Sequence, residues 1–355
     1  MLQKLLLQSL SKAALNRRML SIDSGSIALA SDLGLKRIQN QDKVSVMKFS
    51  FNQKAYTLVA LADGMGGMRD GKECAELCIA AFFASAIELT HLSSAELLRT
   101  ATLATNKAVH EFSNGKGGCT LSAVLFGSDL SPVSVNVGDS RIYGRSAVSN
   151  RLIRLSVDDS LAEVVGGSGT ELLQFIGMGD GLSPHVAPLI DDVEQVYLTT
   201  DGVHYIEPQT LALITENTEK VTQVVERLIA TARWCGGPDN ASICAIDIPT
   251  LNFNHRDNSA VIELTDPFGA TQFIWAMPPK EKVQIELEAI NSKPSIPDSN
   301  QPDDLPVLLD KEQENPKKRT RRTSKKKNAK NENENDEMKL TLSSEDNEVN
   351  NEAAE

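Results

Sequence analysis

Apolar residues fill several short stretches of this chain almost without a break, and most of these stretches stop at a glycine or an acid. Residues 43–49, 56–62, 119–127, 132–138, 194–200 and 241–248 are of this kind. They are rich in β-branched residues and too short for core helices, so they read as buried strands. Further strands are expected at 26–30, 140–144 and 151–155. Helical spacing takes over near 71–89, 93–112, 208–215 and 218–234. In the last of these, Val221, Val224, Val225, Leu228, Ile229 and Ala232 recur at the i, i+3, i+4, i+7 interval, a helix with one buried stripe. Residues 77–86 are apolar nearly all round, which predicts a first helix covered on every side. Strands in runs and helices in adjacent pairs argue for α+β layers rather than a doubly wound sheet.

The same pattern divides the 355 residues. Residues 1–24 form an N-terminal extension, basic and leucine-rich over its first twenty positions. Gln3, Lys4, Gln8 and Lys12 interrupt any signal-peptide core, so an amphipathic helix docked on the body is the expectation. Residues 25–250 are ample for one well-buried core. Residues 251–284 hold two apolar arms, 260–265 and 270–276, around the turn Asp266-Pro267-Phe268-Gly269. They read as a β-hairpin that packs on the core or offers a docking edge. Residues 285–355 are polar, poor in aromatics and expected to be disordered. Within them, 317–327 carry eight basic residues and no acid, followed by an acid-rich end. That composition suits a solvated tail whose halves attract, or a contact for nucleic acid, anionic lipid or an acidic protein partner.

Four apolar runs meet a loop at an aspartate. Asp63-Gly64-Met65-Gly66-Gly67 follows 56–62, Gly138-Asp139-Ser140-Arg141 follows 133–137, Asp201-Gly202 follows 196–200, and Gly236-Gly237-Pro238-Asp239-Asn240 opens 241–246. One Asp-Gly after a strand is ordinary hairpin chemistry. Four at strand ends of one sheet system gather carboxylates that repel one another unless cations neutralise them. No Cys-x-x-Cys pair or His cluster argues for zinc. An all-oxygen aspartate set points instead to Mg²⁺ or Mn²⁺. Two such ions about 3.5–4 Å apart can share one carboxylate and hold a water or hydroxide that attacks phosphorus in line. Upstream, Arg37-Ile38-Gln39-Asn40-Gln41-Asp42 opens the run 44–49, and Arg37 offers a planar fork to a phosphate dianion.

Taken in order, Arg37 to Asp42, Asp63-Gly64, Gly138-Asp139, Asp201-Gly202 and Asp239-Asn240 resemble the metal-dependent serine/threonine protein phosphatases of type 2C, in their bacterial form. The resemblance spans roughly residues 25–248. It implies two stacked antiparallel β-sheets flanked by helix pairs, a four-layer α-β-β-α sandwich, with the metals at one end. It implies hydrolysis of phosphoserine and phosphothreonine in proteins, and a cognate Ser/Thr kinase as partner. By the same resemblance Asp63 is the bridging ligand and the Gly64 carbonyl a ligand of the second ion. Asp201 and Asp239 would hold the first ion, and Asp139 with Asp201 a weaker third. Arg37 would clamp the substrate phosphate, Asp42 would orient metal-bound water, and Asn240 would steady the Asp239 loop. The rival readings are a weak or silent member of the fold acting as a regulatory binding module, and a phosphatase of small phosphometabolites. Retention of every expected ligand weighs against the silent member.

The chain also departs from the family. Gln41 is neutral where many members have an acid. Neither Met65 nor Met68 can give a proton to the leaving alkoxide, where members carry a His at or near these positions. General acid help is worth about 10²–10⁴ in rate, so a slow enzyme is expected. Asp159 replaces the His of an Asp-His-Ser turn, and the segment from Leu161 to Ile176 is only sixteen residues where bacterial members insert a longer mobile flap. A trimmed flap would leave the site open and shift specificity to partner docking. Gly115-Lys116-Gly117-Gly118-Cys119-Thr120 lacks the spacing of a nucleotide-binding loop and leads into a strand rather than a helix.

Charge and cysteine usage add little to the site but narrow the setting. A net charge of -12 argues against general nucleic-acid affinity for the body. Five cysteines without framework spacing fit reduced thiols in a cytoplasmic protein. The histidines are scattered, and no apolar run reaches the eighteen residues needed to span a bilayer.

Overall fold

The computed structural model describes residues 1–12, 16–65, 70–166, 171–254 and 261–275. The tail expected at 285–355, with its basic run, lies outside them, as do Gly66, Gly67 and Met68. In chain order the elements are α1 (Leu2–Leu10), β1 (Arg17–Ile22), β2 (Ile27–Asp32), β3 (Asp42–Phe51), β4 (Lys54–Asp63), α2 (Gly71–Glu88) and α3 (Ser94–Ser113). Then come β5 (Leu121–Gly127), β6 (Leu130–Val137), β7 (Arg141–Ser146), β8 (Leu152–Arg154), α4 (Leu161–Val165), β9 (His185–Pro188) and β10 (Val193–Thr199). The chain continues through α5 (Asp201–His204), α6 (Pro208–Glu216), α7 (Val221–Trp234), β11 (Ala241–Asp247), β12 (Val261–Asp266) and β13 (Gly269–Ile274).

The strands form two antiparallel sheets, ordered β1-β2-β11-β10-β7-β8 and β13-β12-β3-β4-β5-β6-β9. Period-2 alternation sends each central strand's side chains to two apolar layers, which is why these strands read as unbroken apolar runs. On β4, Val59 and Leu61 face the space between the sheets, where Val44, Val46, Val196, Leu198, Cys244 and Ile246 meet them. Leu58, Ala60 and Ala62 face the helices. On the far side Ile243 and Ala245 of β11 meet Val221, Val224, Val225 and Leu228 of α7. Helix, sheet, sheet and helix make the four layers.

α2 is buried nearly all round, from Cys74 to Ile87, because it lies between the larger sheet, α3 and α1. α3 is opened by a capping box in which the Ser93 side chain and Glu96 satisfy each other's backbone. α1 presents Leu2, Leu6 and Leu10 to α2, and Lys43 of β3 donates to the Leu10 carbonyl at 2.7 Å. β12 pairs with β3, so β12 and β13 extend the larger sheet, and Ser9 of α1 donates to Thr271 of β13 at 2.9 Å. β3 and β4 turn back through Asn52 and Gln53, both at positive φ, which sets Asp42 opposite Asp63 at the strands' other end. β1, β9, α4 and α5 have no counterpart among the elements read from the sequence. Among the described residues no helix is long and apolar enough to cross a membrane.

Candidate metal centre

Asp63 ends β4 on the side-chain parity of Val59 and Leu61, so it points into the end of the gap between the two sheets. Asp201 follows β10 and opens α5, while Asp239 stands before β11, the neighbour of β10. Asp139 lies in the turn between β6 and β7, where the chain leaves the larger sheet for the smaller. Two sheets therefore deliver their strand ends to one rim. A cavity of about 410 Å³ opens there, lined by Arg37, Gln41, Asp63, Gly64, Met65, Thr120, Asp139, Leu172, Asp201 and Asp239. Asp42 does not line it. Behind the rim it is buried, with its Oδ2 accepting from the Thr200 hydroxyl at 2.9 Å.

Two glycines are forced by close backbone approach. A Cβ on Gly64 would lie 2.3 Å from the Gly71 carbonyl oxygen, and one on Gly202 1.9 Å from that of Asn240. The strand ends can thus pack against the next turn of chain without a side chain between them. Asn240 ties the rim together. It accepts from the Gln41 N–H at 2.8 Å and donates to the Leu33 carbonyl at 2.9 Å.

The electrostatics are those of acids crowded out of water. Burial raises Asp63 well above the usual carboxylate range, with Asp42, Asp201, Asp139 and Asp239 adding repulsion. Burial pushes Asp42 up to about 7, with Asp201 adding to it, and Asp139 up to about 6, again with Asp201. Asp201 is raised by burial and by Asp239, partly offset by hydrogen bonds and by Arg37. Arg37 pairs with Asp239, Nη2 to Oδ2 at 2.5 Å, and this bond raises the guanidinium further. The expected phosphate clamp is here folded onto an expected ligand.

Among the described residues no three His, Cys, Asp or Glu side chains already form a closed metal cage. The acids ring the cavity without converging on one point. Their chemistry nevertheless fits hard cations: every donor is oxygen, and the buried Oδ1 atoms of Asp42 and Asp201 find no hydrogen-bond partner. Two lining residues had no functional reading in the sequence. Thr120 accepts from the Asp63 N–H at 2.9 Å and shares a 2.7 Å hydrogen bond with Ser140, next to Asp139. Leu172, itself part of the shortened segment, forms one wall of the cavity. Residues 171–176 of that segment are pinned, with Leu173 N–H on the Asp159 carbonyl and Ile176 paired with Cys119. Residues 167–170 lie outside the described ones. Gly117, Gly118 and Cys119 are buried, and Lys116 is exposed and does not line the cavity.

No family model matches the chain. It is 27% identical over 244 residues to the serine/threonine phosphatase stp of Listeria monocytogenes, covering 61% of this chain and 93% of the relative. It is 28% identical over 251 residues to the serine/threonine protein phosphatase PstP of Mycobacterium tuberculosis, covering 64% of this chain and 45% of that one. The solved catalytic domain of PstP, in complex with two manganese ions, superposes with a TM-score of 0.52 at 26% identity, covering 65% of this chain and 98% of that domain.

Proposed function

We propose that this chain, a relative of the bacterial type 2C serine/threonine phosphatases, is a metal-dependent phosphoprotein phosphatase acting on phosphoserine and phosphothreonine. What supports this most is a single observation: carboxylates from four separate strand ends, Asp63, Asp139, Asp201 and Asp239, line one cavity with an arginine at its edge. Mg²⁺ or Mn²⁺ would be held by Asp63, the Gly64 carbonyl, Asp201 and Asp239, with Asp139 and Asp201 offering a further place. When bound, the ions supply a solvent nucleophile at neutral pH and neutralise charge on the phosphoryl oxygens.

The remaining work falls to the chain. Arg37 leaves Asp239 and takes two oxygens of the substrate phosphate in its fork, an exchange of one charged partner for another. Asp42, held by Thr200, accepts a proton or hydrogen bond from behind the rim. The β3–β4 ladder and Thr120 hold Asp63 in place. Met65 offers no proton at the cavity wall, so the departing serine or threonine oxygen takes its proton from solvent, and turnover is slow. Substrates would be the products of a Ser/Thr kinase in the same compartment.

The test is hydrolysis of a phosphothreonine peptide and of an aryl phosphate, with Mn²⁺, with Mg²⁺ and with a chelator. Cation-dependent release of phosphate from the peptide is expected. Peptide left intact by Mn²⁺-loaded protein, with the aryl phosphate hydrolysed, would favour a small-molecule phosphatase. No release from either would favour a silent member of the fold.

A further inference from the structure

A buried carboxylate used by none of the roles above stands behind the Asp139 wall. Asp159, between β8 and α4, is 6% exposed and collects three donors. The Gly138 N–H reaches its Oδ2 at 3.0 Å, and Gln174 Nε2 and His185 Nε2 each reach its Oδ1 at 2.8 Å. Its backbone closes two further bonds, donating to the Gly138 carbonyl at 3.0 Å and accepting from Leu173 N–H at 2.7 Å. The Gly138 backbone N–H and the Gln174 amide donate to the carboxylate, and His185 does so in its Nε2–H tautomer, so an acceptor-only group suits the position. The neighbouring Asp158 is engaged elsewhere, with Arg141 and Arg154.

The two sides of Asp159 lead to different places. On one, Gly138 precedes Asp139, and Ser140 joins Thr120, which accepts from the Asp63 N–H. On the other, Leu173 and Gln174 follow Leu172 of the cavity wall, Gln174 accepts from Ser183 N–H at 2.7 Å, and His185 opens β9 with its side chain half exposed. Hydrogen bonds on either side, joined by the backbone of residues 138–140, thus connect the Asp63 strand end to an accessible rim.

We propose that Asp159 is a positioning residue that couples the rim formed by Leu172, Leu173, Gln174 and His185 to the Asp139 loop, so that a protein substrate leaning on that rim tightens the acid cluster. Its meaning for catalysis rests on the phosphatase reading; the coupling itself does not.

The test uses the full chain carrying Asp159→Asn, Gln174→Ala, His185→Leu or His185→Gln. Amide hydrogen exchange at Gly138 and the Mn²⁺ concentration giving half-maximal thermal stabilisation are followed. Asp159→Asn places an amide N–H₂ against a donor and is expected to raise both, the Mn²⁺ requirement by about tenfold, the low end for groups braced behind metal ligands. Gln174→Ala and His185→Leu, which do not touch residue 138, are expected to speed Gly138 exchange as well. His185→Gln keeps a donor at the rim and is expected to restore it. With active protein at subsaturating Mn²⁺, Gln174→Ala should lower kcat for a phosphopeptide several-fold, because a substrate on the rim no longer tightens the acid cluster; a rise in KM alone would be lost uniform binding and would count against the coupling. Wild-type Gly138 exchange in both Gln174→Ala and His185→Leu overturns the proposal, and these two variants decide it even if Asp159→Asn does not fold. Wild-type protein inert toward phosphopeptides, with Gly138 exchange still following Gln174, would sink the phosphatase reading and leave the coupling standing.

Discussion

Burial and mutual repulsion act on the same few carboxyls, and both favour the protonated form. Replacing Asp63 by Asn removes the most crowded of these charges while keeping its shape. Cation-free Asp63→Asn is therefore expected to melt above the wild type near pH 8, while kcat with Mn²⁺ falls by about 10²–10³ or more. A variant that melts lower, or that turns over normally, would contradict the site. Each rim aspartate could be read from the sequence because an acid at the tip of an apolar strand is a local signal. Thr120 and Leu172 could not, since each is an ordinary residue whose role comes from what a distant segment brings beside it. The pairing of Arg37 with Asp239 was equally hidden, because 202 positions separate the two and only folding makes them neighbours.

At the scale of elements, the strands and long helices predicted from hydrophobic spacing match those observed to within a few residues at their ends. What escaped were pieces whose pattern is set by position in a sheet. β1 and β9 are edge strands, largely exposed, with no inward-facing run to announce them. α4 and α5 are five and four residues, too short to show a helical period. α1 was visible as an amphipathic segment, and Leu6 at its centre is fully buried against α2. Leu6→Ala should cost about 2–5 kcal/mol, read from the urea midpoint; a change within error would mean that α1 is not docked in solution. The β3–β4 turn carries Gln53 in the left-handed region at φ 61°. Gln53→Gly relieves that strain and should raise stability by about 1 kcal/mol, measured the same way.

For the molecule as a whole, the raised acids set the sense of its pH response. Asp42, Asp63, Asp139 and Asp201 bind protons more tightly folded than unfolded. Stability they contribute is complete below the ordinary carboxylate value of 3.8 and drains away as pH rises through the folded values, about 6 for Asp139 and about 7 for Asp42. Without divalent cations the melting temperature should fall from about pH 4 to about pH 8, and saturating Mn²⁺ should flatten that slope by binding the ionised acids. A melting temperature that rises with pH in chelator would refute this. The turn at Asn52 and Gln53 carries a last consequence. β3 and β4 are ten residues each, so the bend lies about 33 Å along the ribbon from Asp42 and Asp63. It works as a ruler for them: one residue inserted there, if it slipped the pairing by a step, would roll Asp63 out of the gap between the sheets and onto the face beneath α2. Chemistry at the mouth of the sandwich is thus gauged from its opposite end.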